Sequence, residues 1–181
     1  MKEEMDMSRV ILVDGNDREV GTAEKMEAHL NGGHLHRAFS VIVFSPEGEI
    51  MLQKRAATKY HSQSQWTNTC CSHPAPGEST EAAAHRRLKE EMGFDVPLRE
   101  IFSFVYKASL DTGLTEHEYD HVFVGEFSGI PACDPHEVEE WAWVSPEELR
   151  ADIERLPGKY SEWFKIIIGQ YFDHISSSGG L

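Results

Sequence analysis

The chain has 181 residues, 40% of them apolar, which suits one domain with an ordinary core. Lys and Arg number 17 against 31 Asp and Glu, and the net charge of −14 argues against binding nucleic acid. No apolar run reaches the roughly 18 residues of a membrane helix, and the opening MKEEMDMSRV lacks the apolar centre of a signal peptide, so the expectation is a cytoplasmic protein without membrane association.

Residues 1–8 are polar and read as loose. Val10 to Val13 then reads as a short strand closed by the Asp14-Gly15-Asn16-Asp17 turn, with Val20 to Thr22 able to pair back across it. Glu24 to Leu30 has helical composition and stops at Asn31-Gly32-Gly33. His36 to Phe44 is almost continuously apolar after Arg37, as expected of a central strand buried on both faces, and Ile50 to Arg55 is a plausible hairpin partner. From Trp66 to Ser79 the chain reads as a loop punctuated by Pro74, Pro76 and Gly77. It delivers Cys71 and His73 to the start of a helix on which Ala84, Leu88 and Met92 form a stripe to be buried. Ile101 to Leu110 and Glu116 to Phe127 read as strands joined through Asp111, Thr112 and Gly113. Val138 to Val144 carries Trp141 and Trp143 on one side, and Ser145-Pro146 opens a helix with a cap and a proline in its first turn. Ser161 to Ile175 has helical apolar spacing, and the Ser/Gly-rich tail from Ser176 to Leu181 reads as frayed. Without strict strand–helix alternation, these elements favour an α/β fold, a mixed sheet with helices on both faces.

The residues with chemical potential are mostly ambiguous singly. Cys70, Cys71 and Cys133, odd in number and two of them adjacent, make a poor disulfide framework and read better as thiols. His29 and His36 are each compatible with a satisfied structural histidine, Cys71-x-His73 with half of a zinc site, and Glu116 and Glu118 with a solvated strand edge. Taken together, three imidazoles and two carboxylates would complete a mixed nitrogen and oxygen metal site. Such a set suits Mn2+, Zn2+ or Fe2+ better than Mg2+, although softness alone leaves Mg2+ open.

The stretch from Trp66 to Gly93 resembles the Nudix signature at Glu78, Arg86, Leu88, Glu90, Glu91 and Gly93. It departs at Ser72, where the signature has Gly, and at Arg87, where it has a metal-binding Glu. With WTNTCCSHP upstream it is similar to type I isopentenyl-diphosphate isomerases. The resemblance implies a Nudix-type α/β/α sandwich as a single domain over residues 1–181. It implies that Cys71 and Glu118 carry protons, with Tyr106 hydrogen-bonding Glu118, and that His29, His36, His73, Glu116 and Glu118 hold Mn2+, Zn2+ or Mg2+. It further implies that Glu91 helps hold Mg2+ on the substrate diphosphate, and that Lys25, Arg55, Lys59 and Arg87 grip that diphosphate. Trp163 is either a shield for a carbocation or simple helix packing. Glu78 and Glu90 are expected as structural partners of Arg86. A small isoprenoid diphosphate is thus the implied partner, and the sequence is silent on protein partners. Two alternatives are a Nudix diphosphohydrolase, which Arg87 disfavours, and a non-catalytic, metal-stabilised Nudix-like binding module.

Overall fold

The computed structural model describes residues 5–110 and 112–177, so the expected looseness of residues 1–4, the tail from 178 to 181 and Asp111 in its loop lie outside the described residues. Ser176 itself closes a helix. The frame is a nine-stranded mixed sheet. Its central strand β3 (His36–Phe44) is the apolar run, and seven of its nine residues from Ala38 onward are buried in unbroken succession. The parallel strand β8 (Thr115–Glu126) lies along one edge of β3 for its whole length, from His36 opposite Glu118 to Phe44 opposite Glu126. The other edge of β3 is shared. β1 (Arg9–Val13) meets it at His36, the short β6 (Cys70–Ser72) spans Phe39 to Val41, and β4 (Ile50–Arg55) meets it at Phe44.

Two expectations change here. Cys71 sits on a strand, β6, and not in an open loop, because its backbone pairs with Ser40 of β3. The hairpin from β3 to β4 is hydrogen-bonded only at its mouth, and β4 instead pairs along its length with β9 (Val138–Val144), which brings Trp141 opposite Gln53. The two-residue β5 (Trp66–Thr67) caps the other edge of β4. β2 (Glu19–Glu24) folds back on β1, and β7 (Arg99–Ser109) pairs antiparallel with β8.

Alternation along the strands divides the core in two. Phe39, Val41 and Val43 of β3, Met51 of β4 and Phe123 of β8 face α2 (Thr80–Met92), meeting Ala83, Ala84, Leu88 and Met92. Ile42, Phe44, Ile50, Leu52, Val122 and Val124 face the other way, onto Leu149 of α3 (Pro146–Arg155) and Trp163, Phe164, Ile167 and Ile168 of α4 (Glu162–Ser176). This is the α/β/α arrangement, with period 2 in the strands and period 3.6 in the helices pointing to the same two layers. Leu88 and Met92 are fully buried, each contributing about 1.5–3 kcal/mol by removal from water.

The helix α2 begins where Ser79 accepts a hydrogen bond from the Ala82 N–H at 3.2 Å and ends at Gly93, whose φ of 77° is left-handed. A Cβ at Gly93 would lie 2.3 Å from the Ala132 carbonyl oxygen, so glycine is required there twice over. α3 is capped in the same way by Ser145, with Pro146 in its first turn. Among the described residues no helix is long and apolar enough to cross a membrane.

Candidate active site

The site lies where β3 begins, flanked by β8 on one edge and β6 on the other. His36 opens β3 and is paired in register with Glu118 of β8. Glu116 and Glu118, two apart, share a face of β8 and are both buried. His73 follows β6, and His29 comes from the end of the single-turn helix α1 (Lys25–His29), fully buried. The five expected metal-ligand residues therefore converge. Ligand atoms of His29, His36, His73 and Glu118 lie within 4.8 Å of one another, and Glu116 joins His29 and His61 in a second such group.

Ring nitrogens and carboxylate oxygens crowd together at the centre. His29 and His36 each have Nδ1 at 2.7 Å from a backbone carbonyl, of Lys25 and His34, so each donates there and turns Nε2 inward. The Nε2 of His29 then faces Glu116 Oε2 at 3.1 Å, and that of His36 faces His73 Nε2 at 3.1 Å and Glu118 Oε1 at 3.4 Å. Between His29 Nε2 and Glu116, acceptor faces acceptor unless a proton or a cation intervenes. Burial lowers the affinity of His29 for a proton but Glu116 outweighs it and raises the pKa, whereas burial drives His73 down to about 3. Imidazoles and carboxylates turned inward, with the second ring nitrogens of His29 and His36 tied to carbonyls, are the donor chemistry a divalent cation requires, and the residues fit one.

Glu118 is further held by Tyr106, whose hydroxyl donates to Oε2 at 2.6 Å, and by His73 Nε2 at 2.8 Å from Oε1. Burial alone would raise its pKa, but the His36 and His73 contacts overcome this and hold the carboxyl well below the usual range. Cys71 faces the same cavity from β6, 3.8 Å from Arg55 Nη1, and burial pushes its thiol up to about 12, so it is protonated at neutral pH. Its neighbour Cys70 points the other way, into the core beneath α2, as expected of adjacent residues in extended backbone.

Cations gather at the mouth. Lys25, Arg55, Lys59 and Arg87 all line the cavity. Burial, and then the like charges of Lys59, Arg87 and Arg55, push the pKa of Lys25 down. Such crowding in a chain of net charge −14 marks a place for an anion. Lys59 is paired with Glu137, and Arg87 donates to Glu90 at 2.9 Å, Glu91 at 2.6 Å and Glu137 at 3.1 Å. Glu91 is buried on α2 with Oε1 on Arg87 and Oε2 on the Gln53 amide at 2.8 Å, apart from the His/Glu cluster. Glu78 and Glu90 both pair with Arg86, as expected of braces. Trp163 lines the cavity with its ring 5.3 Å from the Arg55 guanidinium and its Nε1 donating to Asn68 Oδ1 at 3.1 Å, so it both packs and presents a face.

Some contributors were not foreseen from sequence. His61 is buried against Glu116, Gln53 holds Glu91, and Glu137 bridges Lys59 to Arg87. Gln53 left a signal, a lone amide in the buried run IMLQ, but His61 and Glu137 sit in polar surroundings that give none.

Known proteins resemble the chain in sequence and in fold. The NUDIX domain family matches residues 34–164. The isopentenyl-diphosphate Delta-isomerase 2 of Photorhabdus laumondii is 54% identical over 159 residues, covering 88% of this chain and 89% of that protein. The chain belongs to the type I isopentenyl-diphosphate isomerases of the Nudix superfamily. A second member of that family, the isopentenyl-diphosphate Delta-isomerase 2 of Aromatoleum aromaticum, is 48% identical over 94% of this chain and 90% of its own. Among solved structures, DR0079 from Deinococcus radiodurans superposes with a TM-score of 0.76 at 19% identity, over 90% of this chain and 98% of that one, a likeness of fold. The stretch matched by the NUDIX family begins after His29, so β1, β2 and α1 lie ahead of it.

Proposed function

We propose that this protein interconverts isopentenyl diphosphate and dimethylallyl diphosphate, adding a proton at C4 of the alkene and removing one from C2. The observation that carries the reading is a thiol, Cys71, and a carboxylate, Glu118, facing one cavity from strands on opposite edges of β3. An alkene is a very weak base, so its protonation needs a positioned acid, a base to take the second proton, and the exclusion of water from the cationic carbon. In the direction from isopentenyl diphosphate, the Cys71 thiol gives its proton to C4 and Glu118 takes one from C2, and the roles reverse for the return. Tyr106 keeps the Glu118 carboxylate oriented, and the Trp163 face shields positive carbon without offering a nucleophile.

His29, His36, His73, Glu116 and Glu118 hold a divalent ion, with Mn2+ or Zn2+ matching the three imidazoles better than Mg2+ does. When bound, that ion fixes the geometry of Glu118 and offsets the buried negative charge. Glu91 takes part in a second, Mg2+-dependent contact to the diphosphate, which Lys25, Arg55, Lys59 and Arg87 grip as a handle. The hydrolase reading is disfavoured because Arg87 puts a guanidinium among the α2 carboxylates, pairing with Glu90 and Glu91. The chain acts as one Nudix-type isomerase domain over residues 1–181, since α1, ahead of the matched stretch, supplies His29. Free Cys70, Cys71 and Cys133 suit a reducing cytoplasm.

The reading is tested by Cys71→Ala beside Cys70→Ala. Isomerisation should fall below about one thousandth of wild type in the first, and stay within about threefold in the second if its folding is intact. Equal losses in two folded variants would remove the thiol from the mechanism.

A further inference from the structure

The site holds one imidazole that the reaction described above does not use. His61 lies in the turn between β4 and β5, buried, with Nε2 3.2 Å from Glu116 Oε1. The other oxygen of that carboxylate, Oε2, faces His29 at 3.1 Å, so Glu116 is held between two rings. His61 itself is fixed on three sides. Its ring stands edge-on to Tyr60 at 4.2 Å between centroids and to Trp163 at 5.8 Å, and its backbone carbonyl accepts from Arg55 Nη2 at 3.3 Å. The Ser62 hydroxyl lies 3.2 Å from Nδ1 and can donate there, which leaves the ring hydrogen on Nε2, aimed at Glu116. His61 is absent from the group formed by His29, His36, His73 and Glu118, and a ring nitrogen of it joins His29 and Glu116 in the second group.

We infer that His61 is a positioning residue for the metal centre, donating its Nε2–H to Glu116 Oε1 so that Oε2 is presented to the ion beside His29. This rests on the metal site proposed above. Because the His61 carbonyl also receives Arg55, one residue sets both the metal carboxylate and a cation at the diphosphate mouth, and the two ends of the site are built on one turn.

The test uses the whole chain, stripped of metal and reloaded with Mn2+, in wild type, His61→Gln and His61→Asn. The Gln amide nitrogen reaches the place of Nε2, whereas the shorter Asn amide reaches only that of Nδ1. Loss of a hydrogen bond that orients a ligand lowers metal affinity by about 10- to 100-fold. Equilibrium dialysis should therefore show that loss in His61→Asn and recovery to within about threefold of wild type in His61→Gln. Spin-echo spectroscopy of the bound Mn2+ should count the same number of coordinated ring nitrogens in wild type and both variants. Equal affinity in Asn, Gln and wild type overturns the role. A nitrogen count lower by one in both variants overturns it in favour of direct ligation. Should His61→Asn unfold, Gln at wild-type affinity and nitrogen count sustains the inference, and weakened Gln ends it. A wild type that takes up no Mn2+ fails the metal site itself, and this role with it.

Discussion

Glu78→Gln isolates the brace that holds the Cys71–His73 segment against α2. Glu78 Oε1 accepts from Arg86 Nε at 2.7 Å, and Oε2 from Arg86 Nη2 at 2.9 Å and the Ala75 N–H at 2.9 Å. Glutamine keeps the shape but turns an NH2 toward one of these donors and removes the charge. Loss of charge-assisted bonding on this scale costs about 1.5–3 kcal/mol. For a domain of this size that lowers the melting temperature by roughly 2–4 °C per kcal/mol, or about 3–12 °C. The pH dependence supplies a sharper check. Burial alone would raise the Glu78 pKa, but Arg86 and the Ala75 N–H outweigh it and hold the carboxyl below its ordinary value of 4.5. A depressed carboxyl contributes stability that is fully present above the unfolded value and is lost as pH falls through the lower folded one. Thermal unfolding followed by circular dichroism should therefore give a constant gap between wild type and variant near neutrality. That gap should narrow as the pH falls below the ordinary value, because wild type then loses the charge the variant never had. A gap under about 1 °C at pH 7, small against the shift expected from one charged contact, or one that widens on acidification, would refute the bracing argument.

Tyr106→Phe removes the 2.6 Å bond to Glu118 Oε2 and should lower kcat by about 10- to 150-fold, the rate equivalent of about 1.5–3 kcal/mol, with KM little changed. Steady-state kinetics showing a raised KM at unchanged kcat would instead assign Tyr106 to substrate binding. Chelation should inactivate the enzyme and speed proteolytic cleavage at Asn31-Gly32-Gly33, since His29 and His36 flank that turn and the ion would tie both to His73. A cleavage rate indifferent to metal would remove His29 from the ligand set.

The central strand and both helix layers were legible because their patterns are strong and local. β3 matches its apolar run from His36 to Phe44, and α2 is framed by a capping Ser79 and a left-handed Gly93. The strand character of Cys70–Ser72 was not legible, since three residues are too few to show alternation and their pairing depends on β3, some thirty residues upstream. The exchange of β3 for β9 as the main partner of β4 is likewise a matter of distant contacts. For the site, residue types and order brought out His29, His36, His73, Glu116 and Glu118 through a family likeness. His61 escaped because its role is defined by what lies 3.2 Å from its ring, which no spacing in the chain records.

The most direct measurement incubates wild-type protein with isopentenyl diphosphate in heavy water and follows the methyl and allylic signals by NMR alongside free phosphate. The account predicts dimethylallyl diphosphate carrying deuterium in the methyl group formed from C4, with no phosphate released. Release of phosphate from the substrate, without deuterium uptake into carbon, would contradict it and return the protein to the diphosphate hydrolases.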